Sequence, residues 1–214
     1  MVEASRKHLL VEGVDDVYAI AQLMGHHVPW GSHKDSRPVK IVDCGGVEKL
    51  LDRTYISTLI KSREVEILGI MIDADEDMHS AWTRVRDICK EQFEDTPDIM
   101  PKEGLILKND KKKLGVWIMP DNASSGMLET FLAYLVPSAS QEIWDLATAS
   151  TQSAMDTGAT CKAAHLQKAQ IHTWLAWQDP PGQAFGNALV KKTLDPNAES
   201  ALCFVCWFKE LFEL

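Results

Sequence analysis

The stretch Val65-Glu66-Ile67-Leu68-Gly69-Ile70-Met71-Ile72 runs without a break into Asp73-Ala74-Asp75-Glu76-Asp77. Six of its first eight side chains are aliphatic, and no regular polar face is left for water. Such a run is expected of a strand covered on both sides in a parallel sheet. Working outward toward the N-terminus, His8-Leu9-Leu10-Val11 is a shorter strand that stops at Glu12-Gly13. Asp15 and Asp16 follow, then Val17, Ile20, Ala21, Leu23 and Met24 at helical spacing, with the acids placed where a helix N-terminus favours them. Residues 39–42 read as a second strand closed by Cys44-Gly45-Gly46, and residues 47–61 as one helix built on Leu50, Leu51, Ile56, Leu59 and Ile60.

On the other side of the central stretch, residues 80–93 predict an amphipathic helix. Residues 105–107 and 114–119 predict a hairpin around Asn109-Asp110-Lys111-Lys112-Lys113, whose lysines read as a solvated turn or a phosphate-steering one. Past Pro120-Asp121-Asn122 the pattern is helical over 126–134, 141–155, 165–177 and 198–214, with Pro180-Pro181-Gly182 separating the last pieces. Strands alternating with helices predict an α/β fold. Its mostly parallel sheet, flanked by helices, occupies residues 1–136, and residues 137–214 form a helical extension packed on it.

The 214 residues suit one substantial core or a domain with an appendage. With 22 Lys and Arg against 31 Asp and Glu, the net charge is -9, which argues against a protein that coats nucleic acid by bulk electrostatics. An enzyme that meets phosphates through metal remains compatible with that balance. The first residues lack the apolar stretch of a signal peptide, and no run approaches the roughly 18 apolar residues of a membrane span. Five scattered cysteines fit a reduced, cytoplasmic protein. Cys203-Phe204-Val205-Cys206 lies in an apolar run and reads as core packing, and Trp174, Leu175 and Trp177 as a helix face buried against the sheet.

Residues 73–77 hold four acids in five positions. In an extended segment Asp73, Asp75 and Asp77 could point together. Clustered carboxylates repel one another unless a cation neutralises them, and Mg²⁺ prefers such oxygen ligands. The bland alternative is a set of solvated helix-start residues, and for Asp77 that is the simpler reading. Glu12 and Asp16 follow the first strand and so belong to the same end of the sheet.

Glu12-Gly13 after a first strand, followed by Asp73-Ala74-Asp75 after a central one, resembles the TOPRIM domain of topoisomerases, bacterial primases, ribosomal-RNA-maturing nucleases and OLD nucleases. Glu12-Gly13-Val14-Asp15-Asp16 looks most like the OLD-type version, and Cys44-Gly45-Gly46 looks like the family's glycine turn; the likeness covers about residues 6–135. Trp117-Ile118-Met119-Pro120-Asp121-Asn122, Gly126-Met127-Leu128-Glu129, Ile171-His172-Thr173-Trp174-Leu175-Ala176-Trp177 and the closing segment also resemble a group of small uncharacterised bacterial TOPRIM-like proteins.

The resemblance implies one or two Mg²⁺ ions (or Mn²⁺). Asp73 and Asp75 would be ligands, Asp77 a third or water-mediated one, Asp16 a ligand of a second site, and Glu12 a ligand or proton carrier. Glu129 reads either as a helix-start acid or as a further ligand. Lys168, with Lys162 behind it, is the match for a lysine that stabilises transition-state charge. His165 and His172 read as packing or surface residues.

The expected function is Mg²⁺-dependent cleavage of nucleic-acid phosphodiesters. The alternatives are a regulatory subunit of an ATPase-linked defence or DNA-processing complex, inactive alone, and a phosphohydrolase of small molecules. Nucleic acid is the expected partner, bound weakly without metal. An ATPase and a second copy of the chain are the protein partners allowed for, and a membrane is not.

Overall fold

The computed structural model describes residues 5–31, 33 and 36–214. Five strands, β1 (Lys7–Val11), β2 (Lys40–Asp43), β3 (Ile67–Asp73), β4 (Leu105–Lys108) and β5 (Lys113–Met119), form one sheet in the order β2-β1-β3-β5-β4. All pairings are parallel except the β4–β5 hairpin. The expected α/β architecture, a mostly parallel sheet flanked by helices with further helices after it, is what the chain adopts.

β3 is central, and all of its residues but Asp73 are buried, which explains its unbroken apolar sequence. Alternation along the strands divides the core. Leu10, Leu68, Ile70, Ile72, Val116 and Ile118 face a layer made by α3 (Arg53–Lys61) and α4 (Met78–Lys90). Leu9, Val11, Met71, Trp117 and Met119 face the layer containing α1 (Val14–Gly25), α5 (Leu128–Ala133), α7 (Leu166–Ala176), α8 (Phe185–Val190) and α9 (Glu199–Phe212). Residues on both sides of position 136 share this second core. The remaining helices, α2 (Val47–Leu50) and α6 (Gln141–Asp156), complete the flanks, with α6 against α7.

α9 reaches the sheet over a floor of glycine. Gly69 of β3 and Gly115 of β5 are register partners, and a Cβ on either would stand within 3 Å of side chains that include Leu211 and Phe212. Trp207 of α9 is anchored by donating its indole N–H to the Leu105 carbonyl at 3.1 Å.

Several local expectations are corrected. The single helix expected over 47–61 is two helices, because Asp52 turns its carboxylate onto the Tyr55 amide (2.7 Å) and starts α3 afresh. α8 is too short to show as a periodic pattern. It is tied to the end of α1, where His26 Nε2 lies 3.0 Å from the Leu189 carbonyl. Cys203 and Cys206 are exposed, since the apolar run of α9 turns Phe204, Val205, Trp207 and Phe208 inward instead. Trp177 ends α7 with 46% of its surface exposed, whereas Trp174 and Leu175 are buried as expected. Lys112 is not a freely solvated turn residue, because its ammonium bonds the Ser62 and Val65 carbonyls. Among the described residues no helix is long and apolar enough to cross a membrane.

Candidate functional site

In an open parallel sheet, a ligand crevice opens beyond the carboxyl ends of the strands where the order reverses. Here β1 lies between β2 and β3, so the reversal falls at the ends of β1 and β3. Those ends carry Glu12 and Asp73. A cleft of about 1220 Å³ lies over them, lined by residues that include Glu12, Asp16, Asp73, Asp75, Asp77, Glu129 and Lys168. All the acids expected at the site therefore line one cleft with Lys168, and Glu129 and Lys168 come from separate helices after the sheet.

Local chemistry fixes each acid. The Asp73 amide donates to Glu12 Oε1 at 2.9 Å, which joins the two strand ends directly. Glu12 is held from the other side too, because the Gly46 amide donates to its carbonyl at 2.8 Å. Gly46 has φ of 113°, a conformation that side chains disfavour, so the Gly45-Gly46 turn serves to bring the end of β2 against Glu12. Asp16, in the first turn of α1, accepts from the Gly13 amide at 2.9 Å and is buried. Asp73 Oδ1 accepts from the Leu128 amide at 3.0 Å, where α5 begins. Asp75 has φ of 52° and exchanges backbone hydrogen bonds with Gly126 at 2.9 and 2.8 Å, which holds the acidic turn against the loop before α5. A Cβ on Gly126 would stand 2.5 Å from Thr130 Oγ1.

Asp77 lies at the cleft rim, but its carboxylate is the N-cap of α4, accepting from the His79 and Ser80 amides at 3.0 and 3.2 Å. Those bonds, led by one from the Ser80 hydroxyl, hold its carboxyl below the ordinary range. The helix-start alternative describes its present contacts. Glu129 is buried rather than solvated, and its Oε1 lies 2.8 Å from Lys168 Nζ. That bond raises the Lys168 ammonium above its usual value. The Thr130 hydroxyl, bonded to the Gln167 side chain, reinforces the junction of α5 and α7. Lys162 does not line the cleft. His165 does, but His172 stacks on Phe185 at 5.0 Å, so the two histidines do not converge. Asp121 and Asn122 serve the turn: Asp121 accepts from the Ala123 and Ser124 amides, and buried Asn122 accepts from the Ile118 amide.

The cleft is short of positive charge. Burial, reinforced by the carboxylates of Asp16, Glu12, Glu129 and Asp75, pushes Asp73 up to about 9. Burial also pushes Asp16 up to about 7, opposed by the Gly13 amide and aided by Glu12 and Glu129. Glu12 is raised by burial as well, partly offset by its bond from the Asp73 amide. Such clustering at a cleft marks a candidate functional site.

The donor set is all oxygen. Glu12, Asp16 and Asp73 each commit one carboxylate oxygen to a backbone amide and leave the other uncommitted among the described residues. Among those residues, no three His, Cys, Asp or Glu side chains form a ready cage for a metal ion. A hard divalent cation that binds through one or two carboxylates and keeps several waters fits this arrangement.

One cleft residue was not legible beforehand. Arg84 lines the wall contributed by α4, and its guanidinium meets Glu48 at 3.1 Å. Its only sequence signal is the helical spacing from Asp77 and Ser80.

No curated protein and no solved structure matches the chain. A family model does match, over residues 6–213, and on that match the chain belongs to DUF3226, a family described as protein of unknown function.

Proposed function

We propose that this protein is a divalent-metal-dependent phosphodiesterase acting on nucleic acid, with a TOPRIM-type site. The observation that carries the reading is the junction of two parallel strand ends, at which the Asp73 amide donates to Glu12 and both carboxyl groups are raised by burial among further acids. Asp73, Asp75 and Glu12 would hold Mg²⁺ or Mn²⁺, with Asp16 serving a second ion and Asp77 and Glu129 at the periphery. A cation bound there supplies Lewis-acid stabilisation of the phosphoryl oxygens.

The protein's own groups supply the rest. Glu12 keeps Oε1 on the Asp73 amide, so one oxygen is left, either to join Asp73 and Asp75 on the cation or to accept a proton from an attacking water. Lys168, aimed by Glu129, places a fixed positive charge beside the reacting phosphate. The acids repel an incoming phosphate until cations occupy the site, which makes productive binding depend on metal.

The test is cleavage of labelled single- and double-stranded DNA and RNA, with and without Mg²⁺ or Mn²⁺. The D73A/D75A variant should lose about 100-fold or more of the metal-dependent rate. Unchanged cleavage by a folded, contaminant-free double variant overturns the reading. A folded wild-type chain that is silent on every substrate with either metal points instead to the partner-subunit alternative.

A further inference from the structure

The cleft crosses the carboxyl edge of the sheet, and its two walls belong to opposite faces. α4 packs on the face of Leu10, Ile70 and Ile72, and α7 on the face of Val11 and Met71. One wall presents Arg84 and the other Lys168, and among the described residues no other Lys or Arg lines the cleft. Ser80, Ala81 and Arg84 line it at helical spacing, so Arg84 shares the helix face that looks onto the acidic floor. Its present partner is Glu48, in a pair whose side chains are 44% and 90% exposed. Exposed pairs of this kind are weakly held, and a guanidinium engages a phosphate as readily as a carboxylate.

We propose that Arg84 is a substrate-binding residue that takes a backbone phosphate on the α4 side of the reacting linkage, with Lys168 on the α7 side. The substrate is then an internal phosphodiester of a polynucleotide rather than a mononucleotide or a small phosphate ester. A substrate with a single phosphate meets the floor alone. A chain with a phosphate at every residue, laid across the sheet edge, meets both walls. Glu48 holds Arg84 in the free protein and yields it to the incoming strand. The inference rests on the nucleic-acid reading above and adds the direction of the strand across the site and the second anchor.

The test is fluorescence anisotropy with a fluorescein-labelled single-stranded DNA oligonucleotide, with Ca²⁺ as the divalent ion and KCl varied. R84A should weaken binding about 10-fold at low salt and lower the slope of log K against log[KCl] by about one, as loss of one phosphate contact does. R84K should keep the slope, and E48Q should tighten binding. A deoxynucleoside monophosphate should compete poorly. Thermal melting of each variant separates these effects from loss of fold. If the wild type binds and cleaves but R84A keeps its affinity and slope, or the monophosphate competes as well as the oligonucleotide, the Arg84 inference is overturned while the nuclease reading stands. If the folded wild type neither binds nor cleaves nucleic acid with any divalent ion, both are overturned.

Discussion

At the amino edge of the parallel strands Arg6, Lys7, Lys112 and Lys113 all have partners, whereas at the carboxyl edge acids crowd into a cleft whose Lys and Arg lining, among the described residues, is Arg84 and Lys168. Arg6 pairs with Glu66, and Lys7 and Lys113 bond the last carbonyls of α9 at Phe212 and Glu210. Lys112 closes the loop before β3 through the Ser62 and Val65 carbonyls. At the other edge Glu12, Asp16 and Asp73 are all raised by burial, and the buried Glu129 is matched by Lys168. The same sheet thus uses charge to close its structure at one end and at the other crowds carboxyl groups that burial makes hard to ionise. Evolution tolerates such an arrangement where an incoming ligand supplies the missing charge.

The largest expected effect is on stability against pH in metal-free protein. Asp73 at about 9 and Asp16 at about 7 lie well above the ordinary 3.8, so between those values the folded state binds more protons than the unfolded one. Their contribution is fully present below about pH 4 and is lost as pH rises through about 7 and then about 9. The local slope is at most about 1.4 kcal/mol per pH unit for each proton. Urea denaturation in EDTA should show stability falling across this window, and added Mg²⁺ should remove much of the fall by binding the folded state. A flat profile would break the contrast between the two edges.

Next in size is D73N. Asn keeps an oxygen for the Leu128 amide and is neutral without the proton that folding forces Asp73 to take up at neutral pH, so the metal-free protein should gain about 1–4 kcal/mol there. The same variant should lose the stabilisation by Mg²⁺ in a thermal melt. A variant that is less stable than the wild type in EDTA would show that the Asp73 carboxylate is compensated after all.

Asp73 and its partner Glu12 also mark how far the sequence could be read. The β3 run and the acids after it are contiguous, so the strand and the acidic turn both follow from local pattern. The meeting of Glu12 with Asp73 depends on which strands are neighbours, and no periodicity encodes that; the family resemblance suggested it. Glu129 and Lys168 sit on helices whose packing alone brings them together, and the early-helix position of Glu129 suits a solvated acid equally well. Arg84 looks like any polar residue on an amphipathic helix until the cleft is known. The Gly69–Gly115 clearance for α9 was open to a reading of glycines inside strands, but its meaning required the helix that fills it.

The Lys168–Glu129 pair gives a smaller effect with a sign that discriminates. K168M leaves the buried Glu129 carboxylate without its cation and should cost about 1–2 kcal/mol, less than for a fully buried pair because Lys168 is 45% exposed. The K168M/E129Q double variant should recover most of that loss while remaining poor in cleavage. Chemical denaturation reads the stability and the cleavage assay the activity; a merely structural pair would leave the double variant active.

The smallest effect belongs to the amino edge. Arg6 and Glu66 form an exposed pair, 46% and 50% accessible, and the Arg6 guanidinium also donates to the Arg63 carbonyl at 2.7 Å. Solvent screens such a pair, so a double-mutant cycle over R6A and E66A should return about 0–1 kcal/mol of coupling, falling further in high salt. Neither substitution should change the response to Mg²⁺, because both lie at the opposite end of the strands from Glu12 and Asp73. A coupling as large as that at Lys168, or an altered metal response, would mean that charge at the two edges is linked through β1 and β3. The carboxyl edge would then be a strained part of one electrostatic network rather than a site set apart for a ligand.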